Sequence, residues 1–526
     1  MIEFFDFLSG GVPGGILLLI FLIVVFVNFF RLLKSSEIIS AEKSRKQQIV
    51  VPIVLIFIYI TLWFVLRPPL PPQRIVILPS QDNSGKIQIN DATFQLAETI
   101  QRYANNNLKE KYLLHRWEWL LETVGKDSMN NYSTWLRTAR NLGARYIIES
   151  RLTNQASEYE INVNRIDSNA SIDNIVSGSM DLNQVINNLD EELDVFQAKK
   201  KLPAKPIDNY IKAKAYYFLD QYDVSLPLVE KNEDNDCKVL TAAIYMQKGL
   251  HIQFDRVKHQ FVKFENPEFN KSKKILNEII KTNKDWPGVA YILGKIALRE
   301  GEYGKADTYL KKAFIDDPSD CRVHLALSYL LPERLIPIGY QNRVEILNRA
   351  VFLDPGFSTA VYELAKDYFE SGTGTPTGTG TTMAMITMEK FFKIKNNEPR
   401  ILALLASVYL RISRIDDAQK LFDKLMTMYP NDSDNYYNLG IVYYQKKEFA
   451  KALDYFLKAI DIDENLDSYL YAAVIYLELG DKENALKYFR ERVKRMTGED
   501  DHYAKEAMQG IRTVLEEMKS DSVNAN

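Results

Sequence analysis

The sequence predicts a multidomain protein in three parts: a two-helix transmembrane hairpin, a small α+β domain and an α-helical solenoid of paired helices. Two long uncharged apolar runs stand near the start of the chain and predict the hairpin. The region after them alternates strand-like and helix-like patterns. Further on, a tyrosine–alanine–phenylalanine pattern with spacings of 9 and 4 returns about every 34 residues, as stacked helix pairs require.

Composition limits the classes of function. A chain of 526 residues is too long for a single core, and its net charge of -3 does not favour nucleic acid as a partner. The two cysteines, Cys237 and Cys321, form neither a metal site nor a disulfide framework. We expect both to be small buried apolar side chains, and one bridge between them is the alternative.

The hairpin occupies residues 1–67, with spans at about 11–30 and 49–66. Each run is about long enough to cross the hydrocarbon core as a helix. The first run follows an acidic tail and no small-residue cleavage site follows it, which argues against a signal peptide.

The loop between the spans carries five basic residues against two acidic ones, whereas the preceding tail has no lysine or arginine. This bias predicts that the loop stays in the cytoplasm and that the soluble part faces outward. Insertion in the opposite direction is the alternative. A proline-rich spacer, residues 68–73, then separates the hairpin from the soluble part.

The α+β domain is predicted at residues 74–198. A β-branched run from Arg74 to Ser80 predicts a strand that is buried on both faces. Asp91 is a candidate cap for the helix after it. Trp117 and Trp119 alternate with charged residues, which predicts a half-buried strand.

The rest of this domain continues the alternation. A helix is expected to end at Gly143. Three strands follow, at Ala144–Leu152, at Tyr159 to Val163 and at Ile172–Met180. A helix from about Asn183 to Lys199 is predicted to close the domain.

These segments resemble the TolB amino-terminal-like domain, which is related in fold to the CsgG and FlgO envelope proteins. The resemblance rests on the opening strand RIVILPSQDN, the triplet Leu96-Ala97-Glu98, the segment ARNLGARYIIESRLT and the strand and turn YEINVNRIDSNAS. The chain departs from the family at Ser80, where an aromatic residue is common, and in its polar last hairpin. The resemblance implies a setting in a bacterial envelope or next to helical repeats. Together with the spans and the basic loop, it predicts an inner-membrane protein whose soluble part is periplasmic.

A charged linker, residues 199–206, precedes the helical region at 207–497. Leu439 and Gly440 lie in a first helix, and Ala452 and Phe456 lie in the second. This sequence pattern resembles that of tetratricopeptide repeats. Six repeats are predicted between about Cys237 and Thr497, after a degenerate pair of helices at about 210–230.

Three of the repeats carry insertions between their two helices. The insertions lie at about 249–267, around Pro332 and Pro337, and at the glycine–threonine segment 371–382. An amphipathic capping helix is predicted at 498–519, followed by a disordered tail at 520–526.

No residues form a recognisable catalytic, cofactor-binding or metal site in the sequence. The five histidines lack metal-ligand spacing, and the glycine-rich segment lacks the ending that holds nucleotide phosphates. We therefore predict a protein that is not an enzyme and that needs no cofactor.

The inner wall of the repeats is the remaining candidate site, for an extended peptide that bears carboxylates. In tetratricopeptide repeats the first helix of each pair lines the groove, and the resemblance implies groove positions in three repeats. These positions are Tyr291, Lys295, Arg299, Arg400, Ser407, Arg411, Tyr437, Tyr444 and Gln445. The alternative is that they are ordinary solvated or packing residues.

Together these features predict a membrane-anchored scaffold whose repeats bind a partner protein or peptide in the cell envelope. The rival hypothesis is a sensor, in which the α+β domain binds a small molecule or lipid and the repeats transmit the bound or unbound state to a partner. An accessory subunit of a separate enzyme is a third hypothesis. The sequence assigns no oligomeric state.

Overall fold

A computed structural model describes residues 71–82, 85–104, 107–152, 158–166, 172–197, 203, 208–250, 266–371 and 378–524. The chain divides into two units, residues 1–72 and 73–526. The predicted spans at 11–30 and 49–66 and most of the linker at 199–206 lie outside the described residues. Within the described ranges, no helix has the length and apolarity that crossing a membrane requires.

The second unit begins with a five-stranded sheet in the order β2-β1-β3-β4-β5. Its strands are β1 (Gln73–Ile77), β2 (Tyr112–His115), β3 (Ala144–Leu152), β4 (Tyr159–Ile166) and β5 (Ile172–Met180). Strand β1 runs parallel to β2 and β3, and the chain then continues as an antiparallel meander through β4 and β5. The predicted double burial of β1 is confirmed, because Ile75, Val76 and Ile77 are all buried.

Four helices pack with this sheet, and together they form what we call the sheet domain. They are α1 (Asp91–Ala104), α2 (Trp117–Val124), α3 (Tyr132–Asn141) and α4 (Leu182–Leu193). The predicted stop after α3 is confirmed, since Gly143 has a φ of 80° that favours glycine. Helix α4 ends earlier than predicted, because Asp194 adopts a left-handed conformation.

The predicted strand through Trp117 and Trp119 is wrong, because the strand ends at His115 and α2 begins at Trp117. Residues two apart on a helix point about 200° apart, to opposite sides. Trp117 packs into the core of the sheet domain, whereas Trp119 packs among residues of the helical repeats. The alternation of tryptophan and charged residues in the sequence therefore marks a helix that lies between the sheet domain and the helical repeats, not a strand.

The repeats begin with a degenerate pair, α5 (Tyr210–Phe218) and α6 (Tyr222–Val229), as predicted. Seven pairs follow in the described residues, one more than the sequence analysis predicts. They are α7 (Asn235–Leu250) with α8 (Pro267–Thr282), α9 (Val289–Arg299) with α10 (Tyr303–Asp316), α11 (Cys321–Leu327) with α13 (Arg343–Leu353), α14 (Ser358–Ser371) with α15 (Thr379–Ile394), α16 (Pro399–Arg411) with α17 (Ile415–Met428), α18 (Ser433–Gln445) with α19 (Phe449–Asp463), and α20 (Leu466–Glu478) with α21 (Lys482–Lys494). A short helix, α12 (Pro332–Leu335), lies within the third pair.

The repeating alanines and aromatics form the cores of these pairs. Ala452 and Phe456 of α19 are fully buried against α18 and α20. Gly440 of α18 is required for close packing, because a Cβ atom there would lie 2.6 Å from the Phe456 ring. The 9-and-4 spacing thus marks where the two helices of a pair touch.

Helix α22 (His502–Asn524) covers the end of the array, where a capping helix is predicted. Its entry is fixed by Asp501, whose carboxylate accepts a 2.7 Å hydrogen bond from buried Arg492 of α21. The disordered tail predicted from Ser520 is helical as far as Asn524. Extending a docked helix costs far less than starting one, so even polar residues continue it.

Candidate functional site

The sheet domain and the repeats meet in an extensive buried interface within the second unit. Trp119 of α2 is only 2% exposed. It belongs to a core cluster whose other buried members come from the third and fourth repeat pairs: Cys321, Leu325, Leu347, Ala350, Leu353, Phe357, Ala360 and Leu364. Gly356, in the turn before α14, approaches α2 so closely that a Cβ atom would lie 2.5 Å from Thr123 Oγ1.

Hydrogen bonds to backbone groups fix the same interface. Asp91 does not cap its own helix α1, whose first turn is capped by Asn90. Its carboxylate instead accepts hydrogen bonds from the backbone N–H groups of Asn209 (2.6 Å) and Lys212 (2.8 Å) at the start of α5. The predicted cap therefore belongs to the first repeat helix and joins the sheet domain to it.

A buried charged cluster lies at the same interface, next to Trp119, whose ring centre is 5.9 Å from that of His115. The Arg74 guanidinium donates hydrogen bonds to the carbonyl oxygens of Phe352 (2.6 Å) and Leu353 (2.8 Å) at the end of α13. Its Nη1 atom is 3.2 Å from Nδ1 of His115, and Nε2 of His115 is 4.0 Å from Oδ1 of Asp354. Burial lowers the pKa of His115 well below its usual value and raises that of Asp354 to about 6.

Ion pairs complete the contact between the two parts. Arg116 pairs with Asp317 and, at 3.5 Å, with Asp320, while Glu122 of α2 pairs with Arg322 of α11. These pairs hold α2 against the turn between α10 and α11 and against the start of α11. The sheet domain is therefore a structural part of the repeat array.

The first predicted group, on α9, lies close to this interface. Tyr291 and Lys295 are partly buried and Arg299 is exposed, with Lys295 Nζ 5.6 Å from the centre of the Tyr291 ring. Burial, followed by Arg322 and Arg299, lowers the pKa of Lys295 to about 8. Glu122 of the sheet domain opposes this lowering of the pKa and also forms an ion pair with Arg322. The sheet domain therefore supplies an acidic group to this end of the repeat array.

The second predicted group shares one face of α16. The Arg400 guanidinium lies 3.9 Å from the centre of the Tyr362 ring and that of Arg411 lies 3.5 Å from the Phe369 ring centre, both rings belonging to α14. Arg411 donates a 2.9 Å hydrogen bond to the carbonyl of Phe369. Between the two arginines, the Ser407 hydroxyl donates to the backbone carbonyl of Ala403. We call these three α16 residues the arginine face.

The Glu363 carboxylate lies beside the arginine face, with Oε1 3.8 Å from Arg400 Nη2 and Oε2 2.6 Å from Arg343 Nη2. Among the described residues, Arg411 has no carboxylate partner within 4.0 Å, and burial lowers its pKa. An arginine that is stacked on a ring keeps its N–H edges in a fixed plane, ready for a second acceptor. The arginine face can therefore bind a carboxylate with little loss of side-chain entropy.

The third predicted group lies on α18. Tyr437 and Tyr444 are half-buried and each packs against Tyr471 of α20, at ring-centre distances of 5.9 and 5.7 Å. Gln445 is exposed beside them. Tyr471 stands 34 residues after Tyr437, so the repeat period itself could have identified it. We call Tyr437, Tyr444 and Tyr471 the tyrosine face.

The structure brings parts of these groups together and separates others. Tyr329 lies in the insertion after α11. Burial and then Glu363 raise its pKa, while Arg343, Arg400 and Arg299 oppose that shift, so groups from α9 and from α16 both act on this side chain. The α9 group otherwise adjoins the sheet domain, whereas the other two groups lie in the later repeats. Sequence reasoning missed the supporting rings of Tyr362 and Phe369, because nothing in their spacing indicates that arginines stack on them.

The described residues contain no site suited to metal or nucleophilic chemistry. They hold no group of three or more His, Cys, Asp or Glu side chains able to bind a metal ion. Cys237 and Cys321 are free, buried thiols in separate core clusters, so the alternative of a bridge is wrong. Burial and then Asp354 raise the pKa of Cys321 well above its usual value, which makes it a poor nucleophile.

Comparison with protein families identifies the later helices. Two models described as tetratricopeptide repeat match residues 397–465 and 467–495, and these segments are tetratricopeptide repeats. They include the arginine face and the tyrosine face. Such repeats are generally protein-interaction modules. No curated protein matches the chain.

Solved helical-repeat structures resemble parts of the chain. The Cut9–Hcn1 hetero-tetramer of the APC/C has 15% identity and a TM-score of 0.40, over 58% of this chain and 55% of that one. A tetratricopeptide repeat protein from Parabacteroides merdae has 15% identity and a TM-score of 0.34, over 52% of this chain and 98% of that one. PilF of Pseudomonas aeruginosa has 17% identity and a TM-score of 0.34, over 44% of this chain and 98% of that one. Similarity this partial carries no functional argument.

Proposed function

We propose that the chain is a non-enzymatic, membrane-anchored scaffold of a bacterial envelope, whose later repeats bind an extended partner segment that bears carboxylates. The observation that carries the proposal is the arginine face, in which the guanidinium groups of Arg400 and Arg411 lie over aromatic rings, 3.9 and 3.5 Å from the ring centres. Planar guanidinium groups held in this way favour bidentate binding of carboxylates.

The setting in the envelope rests on the first 67 residues and on the resemblance of the sheet domain to TolB-like domains. The uncharged runs and the basic loop support two spans with the soluble part outside the cytoplasm. In this proposal the hairpin anchors the chain, and the sheet domain fixes the first repeats so that the arginine face remains free for the partner.

The rival hypothesis of a sensor finds less support in the sheet domain. An enclosed apolar gap lies between the sheet and its helices, lined by residues such as Ile75, Ile100 and Phe196. Its volume is about 10 Å³, room for one water at most. A metabolite or lipid chain needs a pocket of roughly 300 Å³ or more, so this gap cannot hold one. The sensor hypothesis is left with an open cleft of about 510 Å³, lined by Lys126 of the sheet domain and by repeat residues such as Tyr222 and Lys248.

Changing both Arg400 and Arg411 to glutamine should weaken binding of an acidic peptide at least tenfold, because each charge-assisted pair contributes about 1.5–3 kcal/mol. Fluorescence anisotropy with a labelled decaglutamate peptide measures this on the full-length protein in detergent. Arg349→Gln is the matched control, since Arg349 also lies over a phenylalanine ring (5.1 Å) but is exposed on a second helix. Equal loss in both variants would argue against the proposal.

A further inference from the structure

An arginine at the start of α11 already binds a carboxylate in this array. Arg322 is the second residue of α11, as Arg400 is the second residue of α16. The Arg322 guanidinium lies 4.6 Å from the centre of the Phe218 ring, and it pairs with Glu122 near the end of α2. A different part of the chain thus supplies the acid to an arginine that lies over an aromatic ring. The arginine face has the same kind of support for two arginines, and we expect the partner to supply their acids.

The two arginines lie on one side of α16, three turns apart. Arg411 follows Arg400 by eleven residues, which brings it to within about 20° of three whole turns. Their supporting rings, Tyr362 and Phe369, are seven residues apart on α14, within about 20° of two whole turns. Ser407 lies between the two arginines on the same side of α16 and is too small to separate them.

Helix geometry sets the distance between the two guanidinium groups. The Cα atoms of Arg400 and Arg411 are about 16.5 Å apart along α16, at 1.5 Å per residue. Their supporting rings are about 10.5 Å apart along α14 by the same rule. Each guanidinium reaches from its own Cα atom to 3.9 or 3.5 Å from its ring centre, so we place the two carboxylates that they bind roughly 10–17 Å apart.

An extended segment matches this distance at one spacing of its acidic residues. Its backbone rises about 3.3 Å per residue, and successive side chains point to opposite faces. Carboxylates on one face are therefore two, four or six residues apart, which is about 7, 13 or 20 Å. Of these, the spacing of four falls within the range that the arginine face sets. In an α-helix the same range needs a spacing of about seven to eleven residues.

We propose that the partner segment is extended and carries two acidic residues four positions apart, one bound by Arg400 and the other by Arg411. This inference rests on the proposed function and names the sequence pattern of its partner. Once the first carboxylate is bound, the second is held close to its own arginine, so a matching spacing strengthens binding of the whole segment. A single acidic residue, or two at another spacing, gains one pair at a time.

Three labelled twelve-residue peptides test the spacing by fluorescence anisotropy on the full-length protein in detergent at low ionic strength. Each has alternating threonine and serine, which disfavour helices, and two glutamates that are one, four or seven positions apart. We expect the spacing of four to bind about tenfold more tightly than the spacing of one, because it alone forms both charge-assisted pairs. Arg411→Gln should remove this advantage. Arg349→Gln, on an exposed residue of a second helix, should keep it.

The outcomes separate this inference from the proposed function. Equal affinity at spacings of one and four, tightest binding at seven, or an advantage that Arg411→Gln retains would each overturn the inference. If the paired change of Arg400 and Arg411 to glutamine still weakened binding of decaglutamate, the proposed function would stand in all three cases. If none of the three peptides bound, the inference would also be wrong, and failure of decaglutamate to bind as well would contradict both proposals.

Discussion

Replacing Trp119 by alanine is expected to lower the free energy of unfolding by about 4 kcal/mol, the range for large aromatic side chains removed from a packed core. Trp119 is almost fully buried, and its neighbours come from two repeat pairs that follow it by about 200 residues or more. The cavity would open between the sheet domain and the repeats, and both parts should lose stability together. Urea denaturation followed by circular dichroism measures the change.

Tyr303→Ala provides the control for Trp119→Ala. Tyr303 is an aromatic residue of α10 that is 56% exposed, and exposed substitutions usually change stability by less than about 0.5 kcal/mol. Hydrogen exchange shows where the effect falls. If Trp119→Ala accelerated exchange in the sheet domain alone and left α11, α13 and α14 unchanged, the shared core would be refuted.

Asp354→Asn is expected to make the protein more sensitive to acid. The raised pKa of Asp354, about 6 against an ordinary 3.8, means that the folded state binds this proton more tightly than the unfolded state. That carboxyl therefore adds stability as pH falls from about 6 towards 4, by at most about 3 kcal/mol. His115 acts in the opposite sense, because its lowered pKa costs stability as pH falls below about 6.5.

In the wild-type protein these two contributions offset each other between about pH 4 and 6. With Asp354→Asn only the histidine contribution remains, and stability should rise with pH by up to about 1.4 kcal/mol per unit. His115→Asn is the matched variant, whose stability should instead fall as pH rises through about 6. Urea midpoints at half-unit pH steps test both variants, and parallel profiles in the two would contradict this account.

The repeat helices could be predicted from the sequence because their signal is local and recurs. Ala452 and Phe456 lie within one helix, and the gap at Gly440 is filled by a ring only 16 positions later. Strand β1 was equally clear, since a run buried on both faces needs no knowledge of its neighbours. The placement of Arg400 and Arg411 on one face of α16 follows for the same reason, from their position within a repeat.

The contact between sheet domain and repeats could not be predicted in this way. Trp119 and Asp91 have partners that the sequence places far away, so their local patterns were assigned to a strand and to the nearest helix. Tyr471 differs from both, because the repeat period alone, 34 residues after Tyr437, is enough to predict its position. Local periodicity in the sequence identifies a helix or strand. The residues against which that helix or strand packs are known only from the folded structure.

Photo-crosslinking in native membranes tests most directly whether the arginine face binds the partner. A photoreactive benzoylphenylalanine replaces Ser407, between the two arginines, or Lys458, a half-exposed side chain (52%) on the second helix α19. We expect one partner protein to form a crosslink with the probe at position 407 and none with the probe at position 458. The crosslink at 407 should be lost when Arg400 and Arg411 are both changed to glutamine. A partner that crosslinks at 458 and not at 407 would contradict the account.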